Sequence, residues 1–562
     1  MFAGCRVDWL VLLLSALLEA VLIAGLAALA LLSLHLALLT ALRVLWPARP
    51  RRCALPTDAD LPTVLVQLPL YNEGALVERL LVHVTAFDWP RERLLIQVLD
   101  DSTDGSDALS RRAVEALRQR GWPISLLHRT ERDGFKAGAL AAGLRHADAP
   151  LVAPLVAIFD ADFMPAPDFL RRTVGVLWAD PSLGHVQARW AHANEQHSPL
   201  TRAQARLLDG HFRIEQEVRH RLGLPVPFNG TCGVWRRTAI DAAGGWSGDT
   251  LTEDLDLSLR ARLAGWGSAY LIDVAVPGEL PETARAWRTQ QFRWNKGFVE
   301  CLVKLAPRLW RSPLPAWQKL LITLQLGQPL SFLVGGVCLL AGLPFIAGLA
   351  PGPLLLPVAL AATGIGILGP FGLLIAGGRA AERPRGPWRA LLRDAVLAFL
   401  LSTGLLLSNA RASLEALLGV RSPFVRTPKA TTASAQPAGG ALVRRGSLRR
   451  LVRSATAGLA ELAAGGALLV FVLVERPLAL PALALAIGGL GVLGALLRRD
   501  DAAPTWRAPA APSVLGPPEH ALSAPVVLPR AVSSERPAPH SAEPHWPAEA
   551  QGGPEMSHHA AA

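Results

Sequence analysis

Leu155-Val156-Ala157-Ile158-Phe159-Asp160-Ala161-Asp162-Phe163 decides how the middle of this chain is read. Five apolar residues end abruptly in two carboxylates spaced i, i+2. Such a run, bounded by turn residues, reads as a buried strand. Side chains alternate along extended backbone, so Asp160 and Asp162 point the same way. Two carboxylates aimed together repel unless something positive sits between them. A hard divalent cation with oxygen ligands, its shell completed by phosphate oxygens, is the usual solution. The alternative for an isolated Asp-x-Asp is a solvated turn, so the surrounding chain must decide.

Upstream, residues 63–69, 94–99 and 124–128 are further β-branched or apolar runs, and residues 151–159 make the fourth strand. Between them lie Tyr71-Asn72-Glu73 and a helix to residue 81, then Asp100-Asp101-Ser102-Thr103-Asp104-Gly105 and a helix over 107–120. A third helix covers 138–146. Strands alternating with helices imply a parallel, doubly wound α/β sheet. Ligands bind such sheets at the carboxyl ends of the strands. Both acidic turns fall there, and they share one crevice if their strands are neighbours. Downstream, residues 173–214 are less regular, and 228–237 form a Gly-bearing loop into a short strand. Residues 249–265 read as a capped helix beginning at Thr252-Glu253-Asp254. Residues 281–305 are amphipathic, with Trp287, Phe292, Trp294 and Phe298 at helical spacing beside Arg285, Arg288, Arg293 and Lys296. That pattern suits a membrane interface, with Trp287 as an interfacial anchor.

The 562 residues exceed one ordinary domain, and 51% are hydrophobic against 18% charged. The apolar residues pool before about residue 47 and after about residue 317, so a soluble domain is inserted between membrane segments. The run over 9–45 is too long for a signal-peptide core and reads as a retained transmembrane helix. Residues 320–349, 354–376, 457–474 and 478–497 read as four more spans. The short run 395–408 lies in the interface or re-enters, which keeps the basic loop after it cytosolic. This gives five spans, an external N-terminus and a cytosolic C-terminus; six spans result if 395–408 crosses. The net charge of +11 clusters beside the apolar spans, which points to membrane lipids as partners and excludes nucleic acid. Five scattered cysteines form neither a disulfide framework nor a zinc site. The expected segments are a transmembrane helix (1–46), a linker (47–62), the α/β domain (63–280) and interface helices (281–316). A transmembrane region (317–420), a basic loop (421–456), a transmembrane hairpin (457–498) and a disordered Pro/Ala-rich tail (499–562) follow.

Five motifs stand in order on this domain: Tyr71-Asn72-Glu73, Asp100-Asp101-Ser102, Asp160-Ala161-Asp162, Thr252-Glu253-Asp254 and Gln290-Gln291-Phe292-Arg293-Trp294. Together they resemble the D, DxD, TED and QxxRW signature of the processive family 2 glycosyltransferases, the cellulose synthase superfamily. The longer stretches Val98–Asp104, Gly134–Leu140 and Phe228–Thr231 resemble the cellulose-synthase-like A and C branches (mannan, glucomannan or β-1,4-glucan synthases) and their bacterial relatives. The resemblance covers about residues 60–430. It implies a GT-A (Rossmann-like) glycosyltransferase domain between transmembrane helices.

The resemblance also implies roles. Asp160 and Asp162 would hold Mg or Mn against the diphosphate of a nucleotide-sugar. Lys136 and Arg293 would face the phosphates, with Gly134 and Gly138 permitting close backbone approach. Tyr71, Asp100 and Asp101 would lie near the nucleoside, although Asp100 and Asp101 also suit helix capping. Asp254 is the candidate general base, and Glu253 and Gln290 would line the acceptor side. Helix N-terminal charge stabilisation is the alternative for Glu253 and Asp254. Trp294 would stack on a sugar ring, or anchor at the interface. Ser422-Pro423-Phe424-Val425-Arg426-Thr427-Pro428-Lys429 resembles the FxVTxK gating loop, with Arg426 intruding before Thr427; Thr427 and Lys429 would close over the nucleotide.

The expected function is a membrane-embedded inverting β-glycosyltransferase that polymerises a β-linked glucan or mannan from UDP-glucose or GDP-mannose, its spans lining a path for the polysaccharide. It would sit as a multi-pass protein in a bacterial inner or Golgi-like membrane, with the catalytic domain cytosolic. Single transfer to a lipid acceptor is the rival enzyme reading, and a non-catalytic channel or scaffold is the rival of another class.

Overall fold

The computed structural model describes residues 2–47, 58–146, 153–346, 348–381, 387–422, 424, 488–489 and 491–497. A seven-stranded sheet forms the centre of the α/β region. Its strands are β1 (Val64–Leu70), β2 (Leu94–Asp100), β3 (Ile124–His128), β4 (Leu155–Ile158), β5 (Leu183–His192), β6 (Gly233–Arg236) and β7 (Gly267–Gly278), ordered β3-β2-β1-β4-β6-β5-β7. Helices α2 (Gly74–Thr85), α3 (Asp107–Gln119), α4 (Phe135–Arg145) and α5 (Phe169–Ala179) alternate with the first strands. β1 lies between β2 and β4, parallel to both, with Leu70 opposite Asp100 and Gln67 opposite Ile158. The two acidic turns therefore flank the end of β1, where Tyr71 sits, rather than ending adjacent strands. They still share one edge.

The sheet is mixed, not wholly parallel. β6 runs antiparallel to both β4 and β5. The chain enters β6 from the carboxyl edge, so the loop 229–232 lies across the crevice before the strand runs away from it. Sequence periodicity missed β5 and β7. β5 is 10 residues long, and it buries His185, Gln187 and Arg189 almost completely. Polar residues on an inward face erase the alternation that marks a half-buried strand. Gln187 has a structural use: its Nε2 donates to the Thr231 carbonyl at 3.0 Å, and its Oε1 accepts from Asn229 N at 2.9 Å. One buried amide thus fixes the loop that floors the crevice.

The region read as irregular also holds α6 (Pro199–Gly210) and α7 (Gln216–Arg221), joined through a π-helical turn at His211–Glu215. Beyond β6 come α8 (Arg237–Ala242), α9 (Glu253–Leu263) and α10 (Ala284–Arg311). α10 packs its Gly297 against Thr252: a Cβ there would meet Thr252 Cγ2 at 2.5 Å. Lys304 of α10 also bonds Asp249 and Asp256, each at 2.8 Å. The start of α9 is thereby tied to α10. Trp287 is buried among residues of α6 and of α14 (Trp388–Gly404), not placed as an interfacial anchor. The face of α10 that looks amphipathic in sequence is spent on internal packing and on the crevice.

Among the described residues, two helices are long and apolar enough to cross a membrane: Val11–Leu45, within α1 (Phe2–Leu45), and α13 (Leu355–Arg379). The stretch expected as one span over 320–349 is broken. α11 (Ala316–Gly327) and α12 (Leu330–Ile346) meet at a 63° bend, where Pro329 cannot continue the helical hydrogen bonding. The short apolar run 395–408 belongs to a longer bent pair, α14 and α15 (Leu406–Leu417), inclined at 50°. Counting each bent pair as one span gives up to four among the described residues. Residues 457–487, which hold most of the expected hairpin, the basic loop from 425 and the tail lie outside the described residues. At residues 488–497, Gly489 crosses α14 at Gly404, where a Cβ would meet the Gly489 carbonyl oxygen at 2.5 Å.

Candidate active site

The strand ends, the 229–232 loop, the first turns of α4 and α9 and the middle of α10 enclose a cleft of about 190 Å³. It gathers nearly every site residue expected from the motifs: Tyr71, Asp101, Lys136, Asp160, Asp162, Glu253, Asp254, Gln290, Arg293 and Trp294. Asp100 is the exception. Its side chain is fully buried and turns inward, where Oδ1 accepts from Ser102 N at 2.8 Å. It braces the turn and does not line the cleft. Thr427 and Lys429 lie outside the described residues.

At one end of the cleft, the Tyr71 turn is clipped to the Asp101 turn. Asn72 N donates to Ser102 Oγ at 2.8 Å, and Thr103 N donates to Asn72 Oδ1 at 2.9 Å. Arg129 grips Asp101 through two hydrogen bonds of 2.8 and 2.5 Å. The Arg132 guanidinium lies over the Tyr71 ring, 3.2 Å from its centroid. Arg132 lines the cleft and was missed in the sequence, because one arginine in the run Thr130-Glu131-Arg132-Asp133 carries no periodic signal.

The centre is a charge cluster. Lys136 Nζ donates to Asp160 Oδ1 at 2.5 Å and to the Gly230 carbonyl at 2.8 Å. Burial pushes its ammonium down, but Asp160 and Glu253 outweigh this and hold it above the ordinary lysine value. Gly134 (φ +69°) and Phe135 (φ +50°) turn the chain so that Lys136 opens α4 toward the cleft. The glycines around it serve packing of loop on loop. A Cβ on Gly248 would meet Gly134 Cα at 2.6 Å, and one on Gly138 would strike the Asp133 carbonyl. Burial likewise pushes the Arg293 guanidinium down, opposed by Glu253, Asp160 and Asp254. Phe424 covers this end, 4.3 Å from the Arg293 guanidinium and stacked on Phe135 with centroids 5.6 Å apart.

Asp254 lies in the first turn of α9, close to Lys136 and Glu253. Burial, reinforced by the charge of Glu253, raises its pKa to about 7, against a hydrogen bond from Leu255 N and the charge of Lys136. Thr252 makes no side-chain cap, so the acids are not an ordinary capping box. Gly230 (φ +80°) leaves room for both groups: a Cβ there would stand 3.0 Å from Asp254 Oδ2 and 3.3 Å from Lys136 Nζ. Gly230→Ala is therefore expected to lower transfer by about 10²-fold through misplacement of both groups. Initial rates, measured on protein whose unfolding midpoint is checked alongside, test this.

At the far end Trp294 meets Trp190, their ring centroids 6.4 Å apart. Trp190, His192 and Glu279 also line the cleft. All three come from the C-terminal ends of β5 and β7 or just beyond, the two strands that periodicity missed.

A doubly wound β1–β4 half extended by β6, β5 and β7, with carboxylates at the strand ends, is the fold of a GT-A-type glycosyltransferase. Residues 62–297, less than half of the chain, match the family model of the glycosyltransferase like family 2. The glucomannan 4-beta-mannosyltransferase 7 of Arabidopsis thaliana is 43% identical over 264 residues, covering 47% of this chain and 47% of its own. The glucomannan 4-beta-mannosyltransferase 1 of Oryza sativa subsp. japonica is 41% identical over 283 residues, 49% of this chain and 54% of its own. The chain spans about half the length of the plant relatives it matches. Among solved structures, the mannosyltransferase PcManGT from Pyrobaculum calidifontis, in complex with GDP-Man and Mn2+, is 25% identical. That match covers 71% of this chain and 99% of PcManGT, with a TM-score of 0.47.

Proposed function

We propose that the chain is a membrane-embedded inverting β-glycosyltransferase that builds a β-1,4-linked mannan or glucomannan from GDP-mannose. One observation carries this reading: Asp254 and Lys136 both adjoin Gly230 in a cleft that also holds Asp160, Asp162, Arg293 and the Trp190–Trp294 pair. A donor diphosphate needs positive charge as its bond to the sugar breaks. Lys136 and Arg293 supply it from fixed positions. An acceptor hydroxyl needs a base on the face opposite the leaving group. Asp254, with a pKa of about 7, is poised for that transfer at neutral pH. A single carboxylate suffices for inversion. The aromatic pair would hold the acceptor sugar by its apolar face. The names of the plant relatives support mannosyl over glucosyl transfer.

Asp160 and Asp162 fit a hard divalent cation such as Mg or Mn. Asp160 Oδ1 already faces a cation, the Lys136 ammonium. Among the described residues no group of three or more His, Cys, Asp or Glu side chains is arranged to hold a metal ion, so the donor diphosphate would complete the shell. When bound, the ion would neutralise charge on the departing diphosphate.

The base must be ionised to accept a proton. The transfer rate at saturating donor is therefore expected to rise with pH through about 7 and level off above it. A profile flat from pH 5 to 8 contradicts the role of Asp254. Assay of the purified full chain against GDP-mannose, GDP-glucose and UDP-glucose tests the donor. GDP-mannose should turn over at least about tenfold faster than the others. Turnover of UDP-glucose alone contradicts the assignment.

A further inference from the structure

The π-helical turn carries a histidine that the mechanism above does not use. His211 Nε2 lies 3.2 Å from Nδ2 of Asn229, and Asn229 lines the active cleft beside Gly230. A chain of partners fixes which ring nitrogen carries the proton. The Pro227 carbonyl can only accept, and Gln216 meets it at 3.2 Å, so that end of Gln216 is the amide nitrogen. The same Nε2 lies 2.8 Å from Asn229, which must therefore present its oxygen there. The amide nitrogen of Asn229 is then the end that meets His211. A carboxamide nitrogen only donates, so His211 Nε2 accepts and the ring proton sits on Nδ1. Nδ1 faces Glu215 Oε2 at 3.7 Å, one turn further along the chain. An imidazolium would set an Nε2 hydrogen against the Asn229 amide hydrogens, so the pairing requires the neutral ring.

Asn229 is held from three elements. Its backbone N donates to Gln187 of β5, its side-chain oxygen accepts from Gln216 of α7, and its side-chain nitrogen donates to His211. Its placement matters because of its neighbour. Gly230 gives its carbonyl to Lys136 Nζ at 2.8 Å and lies against Asp254 Oδ2. Residue 229 therefore sets the loop that adjoins both the base and the phosphate-facing cation. The bond to His211 uses one of two Nδ2 hydrogens, and the other has no partner among the described residues. Placed polar hydrogens of this kind fix the orientation of a ligand in a cleft. The turn that carries His211 is itself braced. Arg213 donates to the Ala380 carbonyl at 2.8 Å, and a Cβ on Gly210 would meet Leu373 Cγ of α13 at 3.0 Å. π-helical turns gather at functional sites, and this one aims its first side chain at the cleft loop.

We propose that His211 is a positioning residue for sugar transfer. As a neutral acceptor it turns the Asn229 amide so that the second Nδ2 hydrogen is offered to a hydroxyl of the acceptor sugar beside Asp254. The proposal rests on the glycosyltransferase reading. It asks one thing of residue 211, an acceptor atom at the place of Nε2. A role in packing alone would ask for bulk instead.

The test uses the purified full chain with GDP-mannose and β-1,4-mannotetraose. His211→Leu removes the acceptor atom, whereas His211→Gln keeps an oxygen near the place of Nε2. His211→Leu should lower kcat about tenfold, the effect of one lost buried hydrogen bond, and move the donor KM by no more than about twofold. His211→Gln should restore kcat to within about threefold of the wild type. In an Asn229→Ala background His211→Leu should cost nothing further, because the ring acts through that amide. Nitrogen-15 NMR of histidine-labelled protein reads the tautomer without turnover. His211, assigned by the signal lost in His211→Gln, should carry its proton on Nδ1 at neutral pH, a result that decides even if His211→Leu does not fold. Equal kcat for the leucine and glutamine variants, multiplied losses in the double variant, or a proton on Nε2 would overturn the proposal. A wild type that shows the Nδ1–H tautomer but turns over no nucleotide-sugar overturns the underlying reading instead.

Discussion

Asp254→Asn is expected to reduce sugar transfer by about 10²–10⁴-fold, the usual range for loss of a positioned general base. Donor binding should survive. The change preserves size, so Leu255 N can still donate to the amide oxygen as it does to Oδ1 at 2.8 Å. Lys136 keeps Asp160 and the Gly230 carbonyl, so the phosphate-facing cation stays in place. The rate rise with pH through about 7 should vanish together with the activity. If Asp254 served only to stabilise the α9 N-terminus, the variant would lose a fraction of a kcal/mol to about 1 kcal/mol of stability and keep its turnover. The two roles thus predict different observables, and quench-flow transfer rates beside equilibrium nucleotide binding separate them.

Asp162→Asn is the second large expected loss. Asp162 is almost wholly buried at the strand end, next to the Asp160–Lys136 pair. A carboxamide there offers one oxygen and no charge, a poor ligand for a hard divalent cation. We expect a fall of about 10² or more in rate, comparable with removing an electrostatic stabiliser of developing charge. The cation concentration for half-maximal activity should rise, and donor affinity measured with chelator present should change little. A variant whose cation dependence matches the wild type would assign the metal role elsewhere. Asp160 is less clean for this purpose, because its loss also leaves Lys136 without its ion-pair partner.

Much of this arrangement is legible in the sequence because the first four strands obey simple rules. Apolar runs end in turn residues, and the charged residues that follow have nowhere to go but the carboxyl edge. The motif on α10 is legible for a similar reason, since helical spacing brings Gln290, Arg293 and Trp294 to one face. What was not legible depends on burial of polar groups. β5 hides His185, Gln187 and Arg189 inside, so its period vanishes, and Trp190 and His192 vanish from the site with it. Asp100 and Asp101 are adjacent and chemically identical. Only the alternation imposed by β2 sends one inward to Ser102 N and the other to Arg129. The bend at Pro329 was not legible, because hydropathy averages over it and returns one span, and a proline alone does not mark a break: Pro307, Pro344 and Pro370 lie inside continuous helices. Trp287 shows the opposite failure: an aromatic on an amphipathic helix beside apolar spans looks interfacial until tertiary packing takes it.

Asp254, Lys136, Arg293 and the Asp160–Asp162 pair are proposed to act together on a nucleotide-activated mannose and a sugar acceptor. The most direct test is to incubate the purified full chain with radiolabelled GDP-mannose, a divalent cation and a β-1,4-mannooligosaccharide, then digest the product with an endo-β-1,4-mannanase. Label should appear in chains longer than the acceptor, be released as short oligosaccharides by the mannanase, and be absent with Asp254→Asn. Label confined to a single-sugar lipid, or polymer made equally well by Asp254→Asn, would contradict this proposal.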